Sequence, residues 1–352
     1  MALIELRIQS LRNIRSLSLQ APLGINLIHG SNGSGKTTIL EAIFLLARAK
    51  SFRSNRIGPL VTQGEKQLTI YGKIEENQLS HRIGIQKQGR ETTIRIDGQC
   101  LTRSSELAKI LPVQIFTPHS HQIIERGPEY RRRFVEWGVF HVEPNYLQQY
   151  RRMHRALLQR NSALRSSTHL DPWDLEFAEA GEAVNRYREQ YINALKEFVT
   201  QEVQEIFSGH TLSLDWKRGW SEQQTLLESL QAHRNSDRDK GFTQLGPHRA
   251  DLHLLINGRK ASEVASRGQQ KMVVFAIKMA QMQFFTANSR IVPILLVDDI
   301  TAELDRDNLY KMFDRIDHSQ SQCFITATDP YHFDVKSMAG VFHVEHGSLH
   351  VV

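Results

Sequence analysis

Hydrophobic positions change their period several times along this chain, and each change marks a different kind of element. A continuous apolar run at Ile25–His29 predicts a short buried strand, and the helical period of residues 39–48 predicts a helix soon after it. Residues 67–74, 81–86 and 92–96 alternate like strands of an antiparallel sheet, with a turn at 97–98, and residues 112–116 predict another buried strand. The first third of the chain is therefore expected to mix helix and sheet.

From about residue 127 to residue 208 the pattern becomes helical. A 3-4-3-4-3 spacing typical of a coiled-coil seam joins Leu147, Tyr150, His154, Leu157, Asn161 and Leu164. A polar loop follows, and Asp171-Pro172 supplies a cap and a first-turn proline for a second helix. The apolar stripe of that helix runs through Val184, Tyr187, Tyr191, Leu195, Phe198, Val199, Val203 and Ile206. The two segments predict a helical hairpin.

A glycine-rich segment lies between the first predicted strand and the first predicted helix. The motif G-x-x-x-x-G-K-[ST] and the residue after it comprise Gly30, Ser31, Asn32, Gly33, Ser34, Gly35, Lys36, Thr37 and Thr38. In this setting the backbone N–H groups cradle phosphates, Lys36 places a charge on the β- and γ-phosphates, and the Thr37 hydroxyl ligates Mg²⁺. The sequence therefore predicts an ATP site with Mg²⁺.

Two further segments extend this site. The apolar run Ile294–Val297 ends in Asp298-Asp299, as expected of a buried strand that delivers carboxylates at its carboxyl end. Asp298 is the expected Mg²⁺ partner, and Asp299 is placed to orient or deprotonate the attacking water. Upstream, Ser266 is the expected cap of a helix over residues 272–285, with Gly268 and Gln269 in the same segment.

The order of these motifs resembles that of ABC-type ATPases, with a signature at 266–271, a Walker B strand, and a D-loop at Ala302, Glu303, Leu304 and Asp305. That resemblance implies catalytic roles for Lys36, Asp298, Asp299 and Ser266. Gly268, Gln269 and Asp305 join the P-loop among its ATP-binding residues. It also implies that the signature serine of one subunit contacts the γ-phosphate on the other, so that ATP joins a homodimer.

Within that superfamily the chain resembles the RecF family of bacterial recombination mediators along nearly its whole length. The motifs are 6–15, 49–53, 127–134, 246–252 and 298–305 in the family's order. The resemblance implies ATP-dependent binding of double-stranded and gapped or junction DNA, and a weak DNA-dependent ATPase. Recombinational repair and replication-fork maintenance, including the SOS response, are the implied setting. RecR is the implied partner, with RecO and RecA in the same pathway.

The expected fold is an α/β ABC-type ATPase head, a P-loop core with an antiparallel β subdomain, carrying an inserted helical lobe with a short coiled-coil-like hairpin. The expected domains are 1–117, an N-terminal ATPase part with the P-loop; 118–240, the helical lobe; and 241–352, a C-terminal ATPase part with the signature, Walker B and D-loop. Hydrophobic residues make up 40% of the 352 residues, enough for a large core.

Composition indicates the kind of partner and the cellular compartment, but it does not decide the function. The net charge of +6 suits a polyanionic partner, and two cysteines without metal or disulfide spacing fit a reducing cytoplasm. No apolar run reaches the roughly 20 residues that cross a bilayer. An ATPase subunit of a transporter or of another partner-regulated complex is the alternative, and a scaffold in which nucleotide is structural is a third reading.

Arginine and lysine residues cluster in three places and are candidates for contacts to DNA phosphates. They are Arg48, Lys50, Arg53 and Arg56; Arg126, Arg131, Arg132 and Arg133; and Arg151, Arg152, Arg155 and Arg160. Each is equally well explained as a solvated side chain paired with a nearby acid. His248, Arg249 and Asp251 form a motif without an assigned role. Thr328 follows a strand at the position where related ATPases carry a switch histidine, so a threonine hydroxyl would have to sense the γ-phosphate. Asp299 stands where a longer glutamate is usual in those ATPases. Both differences predict slow turnover.

Overall fold

The computed structural model describes residues 1–54, 56–76, 79–166, 169–207, 209–299, 304–330 and 333–352. They form two compact units. The first comprises Met1–Ser120 together with Arg290–Val352, and the second comprises His121–Ser289. The described residues include no helix with the length and apolar character needed to span a bilayer.

The first unit contains two sheets. One is antiparallel, in the order β2 (Ile14–Gln20), β1 (Ala2–Leu11), β4 (Gln67–Glu76), β5 (Leu79–Gln88), β6 (Glu91–Ile96), β7 (Gln99–Leu101). The other has the order β15 (Ser348–Val351), β14 (Gly340–Glu345), β3 (Ile25–His29), β13 (Cys323–Ala327), β12 (Ile294–Val297), β8 (Val113–Phe116). Among the described strands of this sheet, only the β14–β15 pair is antiparallel. The strands predicted at 67–74, 81–86, 92–96 and 112–116 are all present.

Helices of the first unit are α1 (Lys36–Arg48), α2 (Ser105–Ile110) and α11 (Arg306–His318). The apolar face of α1 packs into a single core with the inner faces of both sheets, including Leu6, Leu40 and Leu296. The Gln322 side chain joins the sheets, because it accepts from Leu3 N at 2.7 Å and donates to Leu3 O at 2.9 Å. This core fixes the position of the loop that precedes α1.

The second unit is mainly helical. Its helices are α3 (Gln122–Glu125), α4 (Pro128–Val142), α5 (Tyr146–Ser166), α6 (Asp171–Ile206), α7 (Leu226–Ala232), α8 (Arg234–Lys240), α9 (Ala261–Val264) and α10 (Arg267–Ser289). A small antiparallel sheet has the order β11 (Arg259–Lys260), β10 (Asp251–Ile256), β9 (Leu212–Lys217). The predicted hairpin is α5 and α6, and Asp171 is the first residue of α6 rather than its cap.

The predicted division at residue 240 differs from the observed one. Strand β9 precedes residue 240 and β10 follows it, yet the two pair along their whole length from Asp251↔Lys217 to Ile256↔Leu212. Helix α10 packs against α6 in the same unit. The segment from Gly241 to Ser289 is therefore part of the helical unit, because strand pairing over a long sequence separation leaves no mark in the local pattern.

The predicted seam of α5 was wrong in register. The buried side chains are Tyr146, Met153, Ala156, Arg160, Ala163 and Leu164, so only Leu164 is shared with the predicted set. Arg160 is completely buried, and its guanidinium donates to Asp174 at 2.6 Å, to Asp237 at 2.7 Å and to the Thr243 hydroxyl at 2.7 Å. An arginine paired in this way belongs to the packed face, whereas a hydrophobicity pattern assigns it to solvent. The apolar stripe predicted for α6 agrees with the structure, since Val184, Leu195 and Val203 are buried.

Arg160→Met is expected to destabilise the protein by about 3–5 kcal/mol, because it removes the cation that pairs with the buried Asp237 and one of those that pair with the buried Asp174. The matched control is Arg133→Met, since Arg133 pairs with Glu129 at an exposed position and such pairs contribute about 0–1 kcal/mol. Chemical denaturation followed by circular dichroism measures both. Equal losses in the two variants would show that the Arg160 cluster is not a stabilising element of the second unit.

Candidate functional site

The phosphate loop lies between β3 and α1, at the centre of the parallel sheet. Gly30 has φ 149°, and a side chain there would place its Cβ 2.2 Å from the carbonyl oxygen of Val344 on β14. Gly35 has φ 121° and is the last residue of the loop, directly before α1 begins at Lys36. The glycines are therefore required by the close packing of this loop, and the positive end of α1 points into the space that it encloses.

Lys36 is held inside the loop. Its Nζ donates to Gly30 O at 2.7 Å and to Ser31 O at 2.9 Å, and the side chain is buried. Burial lowers the pKa of Lys36, and the nearby carboxylates of Asp299 and Asp298 oppose that shift. A buried ammonium that has only neutral carbonyl partners favours an anion beside it. This is the electrostatic requirement of a phosphate site.

Asp298 links three strand ends. Its Oδ1 accepts from the Thr37 hydroxyl at 2.8 Å and from the Thr326 hydroxyl at 2.8 Å. The parallel register brings them together, because Val297 on β12 pairs with Ile325 on β13, and β13 pairs with β3. Burial raises the pKa of Asp298, while the two hydroxyl donors and Arg53 oppose that shift.

Asp299 lies at the edge of the same pocket. Its backbone is left-handed, with φ 46°, and its N–H donates to the Thr326 hydroxyl at 2.9 Å. In the described part of the chain, its buried Oδ1 has no hydrogen-bond partner. An aspartate tolerates this backbone conformation better than most residues do, and here the turn presents the carboxylate to the pocket.

The pocket has a volume of about 290 Å³ and is lined by P-loop residues, Asp299 and three side chains outside the predicted ATP set. These are Arg12, Asn13 and Arg53. Asn13 Nδ2 donates to Gly33 O at 3.0 Å, and its Oδ1 accepts from the Thr38 hydroxyl at 3.1 Å, so Asn13 supports the loop from outside. Arg12 and Asn13 entered the sequence prediction only through the family motif at 6–15, whereas Arg53 was a candidate for DNA contact.

A buried carboxylate orders the arginine side of the pocket. Glu41 on α1 is fully buried and accepts from both Arg12 and Ser51, with Arg12 Nη2 at 2.7 Å from Oε1. Arg53 Nη1 lies 3.9 Å from Glu41 Oε2. Arg53 was predicted to contact DNA, but its place in the pocket lining favours a nucleotide contact instead.

The donor set fits Mg²⁺. Thr37 and Asp298 present hard oxygen atoms beside the phosphate loop, and Asp299 adds a carboxylate at the same edge. Oxygen donors with one or two carboxylates are typical of sites in which Mg²⁺ is shared with substrate phosphates. Thr37 and Asp298 are the residues that would hold the ion.

The signature residues lie in the second unit. Ser266 Oγ accepts from Gln269 N at 3.3 Å, and Gln269 Oε1 accepts from Ser266 N at 2.9 Å, which is a reciprocal cap on α10. The helix is longer than predicted, and Ser266 and Arg267 are exposed at its N-terminus with Gly268 half-buried. Ser266 therefore caps α10 as expected, with its hydroxyl at an accessible helix end.

The predicted D-loop is described only in part. Ile300, Thr301, Ala302 and Glu303 lie outside the described residues. Asp305 is the cap of α11, since its Oδ1 accepts from Asn308 N at 2.8 Å. Thr326, rather than the exposed Thr328, contacts the acidic pair.

Several predicted DNA contacts are already engaged within the protein. Arg131 makes a two-point ion pair with Asp251, at 2.6 and 3.0 Å. Arg132 donates to Ala250 O at 2.7 Å, and Arg152 pairs with Glu176 and Glu179. These contacts join helices and strands of the second unit. They largely neutralise the charges of Arg131 and Arg152, whereas the acceptor of Arg132 is a neutral carbonyl.

Most of the remaining candidates lie on the surface, and Arg160 does not because it is completely buried. The exposed ones are Lys50, Arg56, Arg126, Arg133, Arg151 and Arg155. Arg48 is half-buried, with its guanidinium 5.8 Å from the centre of the Phe44 ring. The exposed residues remain candidates for DNA contacts, whereas Arg48 packs against its own helix.

The motif around His248 has a structural explanation. His248 Nε2 lies 3.0 Å from Thr243 O, and burial lowers the pKa of His248 to about 4. The neutral ring therefore donates this hydrogen bond at physiological pH. Asp251 is the partner of Arg131, and Arg249 lies over the Phe242 ring at 5.5 Å. His248 and Arg249 therefore contact the loop that carries Phe242 and Thr243, and Asp251 joins β10 to α4.

Thr326→Val is expected to shift the acid limit of Mg²⁺-ATP binding to higher pH. Cation binding needs ionised Asp298, and loss of a hydroxyl donor raises the pKa of that carboxyl further above its usual range. Binding of a fluorescent ATP analogue between about pH 5 and pH 8 measures the shift. Thr328→Val is the control and should match wild type. An unchanged acid limit in Thr326→Val, or an equal shift in Thr328→Val, would contradict this assignment.

Comparison with known proteins places this geometry in a family. The model of the RecF/RecN/SMC N-terminal domain matches residues 2–350. The DNA replication and repair protein RecF of Pseudomonas aeruginosa (strain LESB58) is 39% identical over 99% of this chain and 97% of its own. A solved structure of the recombination mediator protein RecF-ATP in the RecFOR pathway superposes with a TM-score of 0.89 at 25% identity, covering 99% of this chain and 97% of that one.

An Smc head bound to the C-winged helix domain of ScpA has a TM-score of 0.62 at 16% identity, covering 100% of this chain and 98% of that one, and so shares the fold. The predicted α/β ATPase head with a helical insertion is confirmed by these structures. The chain belongs to the RecF family of DNA replication and repair proteins.

Proposed function

We propose that the protein is an ATP-dependent DNA-binding protein of recombinational repair and replication-fork maintenance, and that it is a weak DNA-dependent ATPase. The observation that carries the proposal is the assembly of Lys36, Thr37, Asp298 and Asp299 around one phosphate pocket. The names of the relatives, DNA replication and repair protein and recombination mediator, support the biological setting.

Within one copy, the chain's own residues bind and position the nucleotide. Lys36 exchanges its loop carbonyls for phosphate oxygens, which gives the buried ammonium a charged partner. Thr37 and Asp298 would hold Mg²⁺, which neutralises the phosphate charge that develops during transfer. Asp299, with its unpartnered oxygen, accepts the proton of the attacking water. The short aspartate side chain favours slow turnover.

The second half of the site comes from another copy. Ser266 and the N-terminus of α10 are exposed, and the capped helix end presents N–H groups and the positive end of its dipole. Such an end stabilises the γ-phosphate when it faces the phosphate loop of a second subunit. Two equivalent sites then form at one isologous interface, and ATP is what joins the dimer.

ATP binding and DNA binding are coupled through this dimer. In the proposal, the ATP-bound pair closes on duplex DNA near a single-strand gap or junction, and hydrolysis reopens it. DNA contacts go to the phosphate backbone, so binding depends on charge and shape rather than on sequence. RecR is the proposed partner, RecO acts in the same pathway, and RecA is loaded as the outcome, all in the cytoplasm.

Ser266→Arg is expected to abolish ATP-dependent dimerisation while leaving ATP binding to the monomer within about twofold of wild type, because the substitution obstructs only the contribution in trans. Sedimentation velocity with Mg²⁺-ATP, with and without a duplex oligonucleotide, measures both assembly and co-sedimentation. The control is Ser262→Arg, which adds the same side chain at another exposed serine. Dimerisation of Ser266→Arg to the wild-type extent would exclude the composite site.

Lys36→Arg is expected to retain ATP binding and to lose hydrolysis by at least about 100-fold, because the bulkier fork cannot occupy the same place between the loop and the γ-phosphate. Phosphate release under saturating ATP measures the rate, and a filter-binding assay measures the affinity. Wild-type turnover in this variant would remove Lys36 from the mechanism.

A further inference from the structure

A shallow cavity of about 730 Å³ lies in the second unit, between the end of α5 and the end of α8. Its lining includes the exposed residues Arg165, Arg238, Lys240 and Phe242, and the exposed Arg249 lies against Phe242. We call this group the α5/α8 patch. It consists of Arg165, Arg238, Lys240, Phe242 and Arg249, all of them exposed. None of these was among the residues that the sequence singled out for DNA, although Arg249 belongs to the motif around His248.

The patch is built on a rigid base. Thr243, next to Phe242, is buried, and its N–H and hydroxyl donate to Asn161 Oδ1 at 2.8 and 2.7 Å. Arg160 donates a hydrogen bond to the Thr243 hydroxyl, and His248 donates one to the Thr243 carbonyl. Gly241 ends α8 in a left-handed conformation with φ 72°. The loop that carries Phe242 is therefore fixed by buried contacts.

Phe242 and Arg249 form a second ordered feature of the patch. The Phe242 ring is 39% exposed, and the Arg249 guanidinium lies 5.5 Å from its centre. Contact with an aromatic face restricts the long arginine side chain while its charge stays accessible. Arg249 is thus held in place for a partner at lower entropic cost than a free arginine.

The charge of the patch is not cancelled internally. Arg165 donates to the neutral carbonyl of Gly241 at 3.4 Å, and Lys240 contacts the neutral side chain of Gln244. Among the described residues, Arg238 makes no ion pair. Asp239 is the one acid that lines the cavity.

Its neighbour Asp237 does not offset the patch either. Asp237 is buried, and its carboxylate is paired with the buried Arg160. The patch therefore differs from the earlier candidates Arg131 and Arg152. Arg131 forms an ion pair with Asp251, and Arg152 forms ion pairs with Glu176 and Glu179.

We propose that the α5/α8 patch is a DNA-contact surface that binds backbone phosphates. This inference rests on the proposed function and deepens it by naming a place where the DNA is bound. Three cations of the patch line a shallow, open cavity, and the fourth lies over the Phe242 ring beside it. Arginine forks bind phosphate oxygens without reading bases. Helix α8 is short and ends at the patch, so phosphate contact is expected rather than insertion into a groove.

The test is the salt dependence of duplex binding by Arg165→Gln/Arg238→Gln/Arg249→Gln. Each lost phosphate contact reduces the slope of log affinity against log salt by about 0.9, so the variant should lose roughly 2 to 3 units of slope and bind at least about tenfold more weakly near 0.1 M salt. Fluorescence anisotropy with a labelled duplex, in the presence of Mg²⁺-ATP, measures both quantities on the full chain.

The matched control is Arg90→Gln/Arg95→Gln/Arg103→Gln, which removes the same net charge from exposed positions in the first unit. The inference predicts an unchanged slope in this control. Wild-type slope in the patch variant, or an equal reduction in both variants, would overturn the patch as a local site.

Sedimentation with Mg²⁺-ATP separates this inference from the proposed function. Both triple variants should dimerise like wild type, because their substitutions lie outside the nucleotide pocket. If wild type binds DNA and the patch variant binds equally well, the patch is wrong and the proposed function stands. If wild type with ATP binds no duplex at all, the proposed function fails and the patch fails with it.

Discussion

The carboxylate of Asp298 is the contact on which the site depends. It lies at the carboxyl end of β12 and accepts hydrogen bonds from Thr37, at the start of α1, and from Thr326, at the end of β13. One buried charge thus ties the phosphate loop to two neighbouring strands. Burial favours the neutral acid and raises the pKa of Asp298, and the two hydroxyls oppose part of that shift by stabilising the carboxylate. The parallel sheet is what brings these groups together, since its register aligns the three strand ends.

Local patterns predicted the first unit well. The strand, glycine-rich loop and helix around Lys36 are confirmed, as are the antiparallel strands and the acidic pair after β12. Each of these features shows within a few consecutive residues, either as a hydrophobic periodicity or as a short motif. Thr326 was harder to choose from the sequence, because Thr328 is two residues away and only the register of β13 decides which hydroxyl reaches Asp298. The contact between Arg12 and Glu41 was hidden for a similar reason, since it joins the turn between β1 and β2 to helix α1 without any fixed sequence spacing.

In the second unit, the sequence did not show which arginines are buried or paired with acids. Arg160 lies outside the predicted seam of α5, yet it is buried among Asp174, Asp237 and Thr243. Arg131 is paired with Asp251, a residue far along the chain. Charge runs in a sequence show how many cations are present but not which of them already have partners. The structure shows which arginines already have partners. On that basis the α5/α8 patch is a better candidate for DNA contact than the arginines of α4.

Subunit complementation tests the composite ATP site most directly. Lys36→Ala lacks a functional phosphate loop but keeps Ser266, whereas Ser266→Arg keeps the phosphate loop but lacks the contribution in trans. Each variant alone should show almost no ATPase activity with duplex DNA. An equimolar mixture should regain activity, because mixed dimers contain one complete site built from the Lys36 of one copy and the Ser266 of the other. A mixture as inactive as its components would contradict a site shared between two copies, and so would a Ser266→Arg variant that is fully active by itself.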